Sequence, residues 1–428
     1  MDEQAKKDRD TVADQSHNSS DQQSPSEQVP APPAAANGLS RREVATAIPK
    51  IAVAAAAMAH EQPANAVYNM FFNKAPLSSS MWLCGDNANG NLGIGNISLK
   101  SSPVQLGSLS TWTSVAAGFQ AGYAIKNGSL WAWGYNNYGG LGLNDTVLRS
   151  SPVQLGGLNN WAQISASKYS AAGVHTDGTI WCWGYNGGGQ LGNNDTNWLS
   201  SPIQVGTLSV WTSVSASGGN STIAKRKDGT LWGWGSNGYG SLGDRTIVNR
   251  SSPVQIGTLS TWNLVAAVQE HTMATRLDGT LWAWGRNDSG QLGLRDRNHR
   301  SSPVQVGSLS TWTVISNSQL FSAAIRSDGT LWGWGDDFYG ELGQNSTYNN
   351  RSSPVQIGSL STWTTVSCGY WFMTARRNDG TIWSWGKNSY GNLGLGDTAN
   401  RSSPVQIGTL SKWRSVTASR PYIILLKP

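Results

Sequence analysis

The groups in this 428-residue chain best equipped for chemistry are five histidines and three cysteines, and their spacing decides what they could do. His17, His60, His175, His271 and His299 have no Ser or Cys companion in a recognisable nucleophile motif, which speaks against activated-hydroxyl or thiol catalysis. Cys84, Cys182 and Cys368 are odd in number and share no ligand spacing, so they suggest neither a disulfide framework nor a zinc site. A Gly-Lys-Ser/Thr phosphate loop is missing as well. Stretches such as Asn193-Asn194-Asp195 carry oxygen ligands suited to calcium but not the spacing of a calcium loop, and they read as turn residues. The expectation is a non-enzyme with no catalytic residue, no metal and no cofactor.

What repeats is a phrase, Asp278-Gly279-Thr280-Leu281-Trp282-Ala283-Trp284-Gly285-Arg286: an Asx-Gly hairpin turn feeding a strand whose two tryptophans share a face. Trp strands begin at Trp82, Trp131, Trp181, Trp232, Trp282, Trp332 and Trp383, at steps of 49 to 51 residues. Within one period the pattern predicts a first strand over Trp262–Ala267 and a second over Thr272–Arg276. A third follows over Leu281–Gly285 and a fourth from Pro303 to Val306. Four short antiparallel strands, seven times over, predict an all-β fold, a seven-bladed β-propeller. The array opens at Met81-Trp82 with a third strand that lacks its first two. It ends with Trp413–Thr417 and Tyr422–Leu426, a first and second strand that lack a third. Joined two-plus-two, they make one blade and close the ring.

Ahead of the array, residues 1–37 are rich in Asp, Gln, Ser, Pro and Ala and read as a disordered tail. Residues 38–77 contain Arg41-Arg42, an Ala/Val/Ile-rich run broken by Pro49 and Lys50, and Ala64-Asn65-Ala66. They read either as a twin-arginine-like export signal, placing the protein in the periplasm or outside the cell, or as a linker in a cytoplasmic protein. The propeller is assigned to 78–428. Residues 1–76 hold seven Lys/Arg against nine Asp/Glu, so the tail carries about −2 and the array about +8 of the net +6. That bias is mild; nucleic-acid binding is not expected, no stretch reads as a membrane span, and the chain reads as a monomer.

The units Gly-x-x-His-Thr, Asp-Gly-Thr-Leu-Trp-x-Trp-Gly-x-Asn and Gly-Gln-Leu-Gly resemble the regulator of chromosome condensation repeat, and seven copies cover nearly all of residues 78–428. The resemblance implies the propeller fold but leaves function open, because that fold hosts exchange factors, ligase subunits and secreted inhibitors.

Strand alternation puts the one–two and three–four loops on one face and the Asx-Gly turns and Gly-x-Leu-Ser-x-Trp connectors on the other. The second face is uniform between copies, as turn chemistry alone requires. The first varies and carries large aromatics. Of the 22 tryptophans, twenty fall at core positions; Trp198 and Trp371 remain, both on the variable face. Before each Ser-Ser-Pro stands Lys100, Arg149, Arg250, Arg300, Arg351 or Arg401, with Leu199 as the exception after Trp198. Local pairing, as in Asp145–Arg149, Asp296–Arg300 and Asp397–Arg401, is favoured over a ring that binds an anionic partner.

The leading expectation is a non-catalytic module presenting this face to a protein partner. In its aromatic enrichment the face resembles that of secreted β-lactamase-inhibitor propellers. By that resemblance Phe119, Tyr169, Phe321, Tyr370, Trp371, Phe372 and Tyr422 would be anchors, with Trp198 and Leu199 marking the break in the pattern. The alternatives are guanine-nucleotide exchange on a small GTPase and a carbohydrate or surface-attachment lectin. Exchange factors of this repeat carry an inserted β-wedge and a basic tail, whereas here the period is unbroken and the tail mildly acidic.

Overall fold

The computed structural model describes residues 79–428 apart from 109, 110, 219 and 269, so the tail and the 38–77 segment lie outside the described residues. Within that span 28 strands form seven four-stranded antiparallel sheets. We number the blades 1 (112–154), 2 (161–204), 3 (211–255), 4 (262–305), 5 (312–356) and 6 (363–406). Blade 7 is made of Ser415–Ala418, Tyr422–Lys427, Ser80–Gly85 and Lys100–Gln105, in that order from the axis outward. The expected two-plus-two closure is therefore present. Tyr422 Oη donates to the Ala121 carbonyl of blade 1 at 2.7 Å, and the Ala418 N–H donates to Ser367 Oγ of blade 6 at 2.9 Å. Among the described residues no helix is long and apolar enough to cross a membrane.

Blade 4 shows how sequence makes the sheet. Its strands are Trp262–Val268, His271–Arg276, Leu281–Gly285 and Arg300–Gln305. The fourth strand starts earlier than expected because Arg300 pairs with Gly285 across a bulge that restores register at Ala283 and Val304. Pro303 sits inside this outermost strand, whose outer edge needs no ladder N–H.

The Asx-Gly turns also differ from expectation. In blade 1, Lys126 pairs with Ser129 around a two-residue Asn127-Gly128 loop, with φ of 50° and 76°. Elsewhere the loop has three residues: the Gly279 N–H donates to the Arg276 carbonyl at 2.9 Å and Gly279 takes φ 77°. Thr280 then completes a relay. Its hydroxyl donates to Asp278 at 2.6 Å and accepts from the Trp282 indole N–H at 3.0 Å. A Cβ at Gly279 would run into the Ser310 carbonyl oxygen of the four–one connector. Gly279→Ala is therefore expected to lower stability by roughly 2 kcal/mol, read as a lower urea midpoint with an unchanged slope.

The core lies between blades. Trp133, Trp183, Trp234, Trp284, Trp334 and Trp385 are fully buried, and the tryptophans leading the first strands are nearly so. The outer Trp of each third strand is half-buried against the same clusters, so all twenty predicted core tryptophans are core. In blade 7 Cys84 replaces the inner Trp.

Candidate functional site

The innermost strands of all seven blades line a central channel with a cavity of about 140 Å³ that reaches the one–two loop face. Around this mouth the variable residues form a continuous belt. On one side Tyr185, Tyr138 and Tyr169 follow each other at centroid distances of 5.3 and 4.9 Å. Lys168 carries the belt onward, its Nζ 4.8 Å from the Tyr169 ring and 5.3 Å from Phe119. Phe119 meets Tyr370 edge-on at 6.5 Å, and Tyr370 meets Trp371 at 4.1 Å. The Arg420 guanidinium lies within cation–π distance of all three, at 4.8, 4.3 and 4.6 Å. Beyond Trp371 come Lys387 and Tyr339, then Phe338 and Tyr348.

Four of the expected anchors, Phe119, Tyr169, Tyr370 and Trp371, are thus brought together at the mouth, each half-exposed. Three are not available as contacts. Phe321, Phe372 and Tyr422 open second strands, and strand alternation turns them inward, leaving them 1%, 2% and 0% exposed. Leu199, the first residue of a fourth strand, is partly buried and packs against the blade 2–3 core. Trp198, 50% exposed, stands on the three–four segment of blade 2. The basic residues before Ser-Ser-Pro are largely neutralised locally, for example Arg401–Asp397 at 2.6 Å and Arg250–Asp244 at 2.8 Å. Arg149 and Arg300 pair likewise.

Sequence reasoning missed Tyr135, Tyr138, Tyr185, Phe338, Tyr339 and Tyr348, together with the cations Lys168, Lys387 and Arg420. A signal existed. The position after each Trp-Gly, and after Cys84-Gly85 in blade 7, reads Tyr135, Tyr185, Ser236, Arg286, Asp336, Lys387 and Asp86, as free of the repeat as the one–two loops are. A buried Ser–His contact was also missed: His271 Nε2 lies 3.0 Å from Ser322 Oγ. Ser322 donates its proton to the Gln291 carbonyl, and both side chains are buried, so the pair binds blade 4 to blade 5. Burial, then the Arg286 charge, lowers the His271 pKa to about 3. This neutral histidine contributes stability above its ordinary pKa that is lost as pH falls.

A model of the RCC1-like domain matches residues 74–374, and models of the regulator of chromosome condensation (RCC1) repeat match residues 363–392 and 379–426. The chain belongs to the RCC1-like family. Among solved structures, human WBSCR16 superposes with a TM-score of 0.73 at 17% identity, over 82% of this chain and 99% of that one. Prp20p from Saccharomyces cerevisiae gives 0.73 at 18%, over 83% and 95%. Yeast RCC1 (Prp20) with Kap60 bound gives 0.74 at 18%, over 83% and 90%. At these identities the likeness is one of fold. Comparison with curated protein sequences gives no match.

Within this RCC1-like propeller, blade 5 breaks a rule that its siblings keep. Asn287 and its counterparts hold the three–four segment through their amide, as in Asn287 Nδ2 to the Asp296 carbonyl at 3.0 Å. Blade 5 has Asp337 there, with Asp336 before it and Glu341 after. Burial raises all three pKa values, Asp337 to about 6 and Glu341 to about 8. Glu341 Oε2 accepts the Tyr339 N–H at 2.7 Å, as Gln291 Oε1 accepts that of Ser289 at 2.9 Å. The remaining polar atom, Glu341 Oε1 or Gln291 Nε2, is buried without a partner in each case. Because the folded state holds Glu341 protonated, its contribution to stability is complete below about 4.5 and is lost as pH rises to about 8. Glu341→Gln is expected to flatten that decline and to make the variant more stable by on the order of 2 kcal/mol above pH 8. Denaturation midpoints from pH 5 to about 9 check it; parallel curves for the two proteins would refute it.

Proposed function

We propose that this RCC1-like propeller is a non-catalytic binding module whose protein partner docks on the channel-mouth face, anchored by Phe119, Tyr169, Tyr370 and Trp371. The belt is the observation that carries this reading. Aromatic rings from blades 1, 2, 5 and 6 meet at positions that folding leaves free, with arginine and lysine laid over them. Aromatic and Arg side chains clustered around a central recess are the composition of binding hot spots. The opposite face offers only the repeated turns. The test is capture by the immobilised full chain, run beside a variant with alanine at all four anchors. Proteins retained by the wild type and lost from the variant support the reading, and identical capture removes it.

Guanine-nucleotide exchange is the second reading, favoured by the likeness to Prp20p, for which binding to Gsp1p and histones is described. Accelerated nucleotide release from a small GTPase would promote it.

A further inference from the structure

We propose that the channel mouth is a carboxylate-binding site that receives an acidic side chain from the partner protein. The proposal rests on the docking face described above and specifies what that face recognises. Its starting point is an imbalance of charge. Arg149, Arg250, Arg286, Arg300 and Arg401 each lie in an ion pair with a carboxylate of their own loops. Among the described residues several cations lie in no such pair, and three of them, Lys168, Lys387 and Arg420, are gathered against aromatic rings in the belt. Lys168 and Arg420 flank Phe119 at 5.3 and 4.8 Å, bordering the recess.

The geometry favours an anion there. The Arg420 guanidinium carbon lies 4.3 to 4.8 Å from the Phe119, Tyr370 and Trp371 centroids, and ring faces accept none of the in-plane N–H groups that a carboxylate bridges. These cation–π contacts restrain both cations before binding, which reduces the entropy lost when the anion arrives. Two hydroxyls of the wall are already engaged, since Ser318 Oγ donates to the Tyr370 carbonyl and Ser419 Oγ to that of Gly118. The size also fits. A cavity of about 140 Å³, open at the one–two loop face, has room for a carboxylate side chain. A nucleic-acid strand needs cations spaced along a groove, whereas here they converge on one recess.

The probe is a fluorescein-labelled hexaglutamate peptide titrated with the full chain by fluorescence polarisation, beside hexaglutamine and a dT oligonucleotide. The expected result is saturable, salt-weakened binding of hexaglutamate, with hexaglutamine at least about tenfold weaker. Lys168→Gln with Arg420→Gln is expected to weaken hexaglutamate at least about tenfold, Lys168→Arg with Arg420→Lys to restore most of it, and Arg149→Gln to change nothing. Undiminished binding by the charge-neutralised pair, equal binding of hexaglutamine, or tighter dT binding through the same two residues would overturn the proposal. Partner capture separates the two readings. Capture lost with the aromatic variant but indifferent to the charge-neutralised pair leaves the docking face standing and the carboxylate site refuted. Capture that survives the aromatic variant refutes the docking face itself.

Discussion

Trp284→Ala is expected to destabilise the propeller by about 4 kcal/mol, near the upper end for loss of a buried aromatic. The indole is fully buried between blades 3 and 4, in a cluster with Ile223, Leu242, Ile256 and Trp262. Its N–H donates to the Ser241 carbonyl at 2.9 Å, and Gly243 lies so close that a Cβ there would touch the ring. The Ser241 carbonyl keeps the Thr272 hydroxyl as a donor, so the loss is mainly one of packing. The chain contains its own control. Cys84 occupies this position in blade 7, but there it faces Ile423 across the sheet, where Trp284 faces Thr272. Compensation by a larger neighbour is what a mutant at Trp284 lacks. A urea midpoint corresponding to less than about 1.5 kcal/mol would mean that the inner tryptophans do not wedge the blades apart as described.

The second large effect concerns affinity rather than stability. Tyr370→Ala and Trp371→Ala are each expected to cost about 2 kcal/mol of partner binding, roughly a 30-fold rise in Kd, with the unfolding midpoint nearly unchanged. Each ring is half-exposed, and each supports the Arg420 guanidinium, so its removal also frees that cation. Phe372, the next residue, gives the contrast. At 2% exposure it belongs to the blade 6–7 core, and its replacement by alanine is expected to lower stability by about 3 kcal/mol. Isothermal titration of the three variants against the captured partner, beside their denaturation curves, distinguishes anchor from core.

The fold was legible because it is periodic. Trp-x-Trp strands at near-constant spacing dictate sheets that bury one face, and the unpaired strands at Met81-Trp82 and Tyr422–Leu426 could only complete one another. Local chemistry was less legible. Arg300 lies inside the fourth strand because of a bulge that no alternation rule reveals. Phe321, Phe372 and Tyr422 looked like loop aromatics because the loops before them are one residue shorter than their irregular sequences suggested, which turns those rings into the core. The site was visible only in part for a different reason. Phe119 touches Tyr370 and Arg420, residues that ring closure brings together from opposite ends of the array. Each blade's own sequence shows only its share of the aromatics and cations; the belt exists only after the ring closes. The buried acids of blade 5 were readable in principle, since Asp337 and Glu341 stand where sibling blades carry Asn and Gln, such as Asn287 and Gln291.

Hydrogen–deuterium exchange on the complex with the captured partner tests the central claim most directly. Slowed exchange is expected at the one–two and three–four segments around Phe119, Tyr169, Tyr370 and Lys387, with the Asp-Gly turns at Asp228 and Asp328 unchanged. Protection confined to the Asp-Gly turns and four–one connectors, with the channel mouth exchanging as in the free protein, would contradict it.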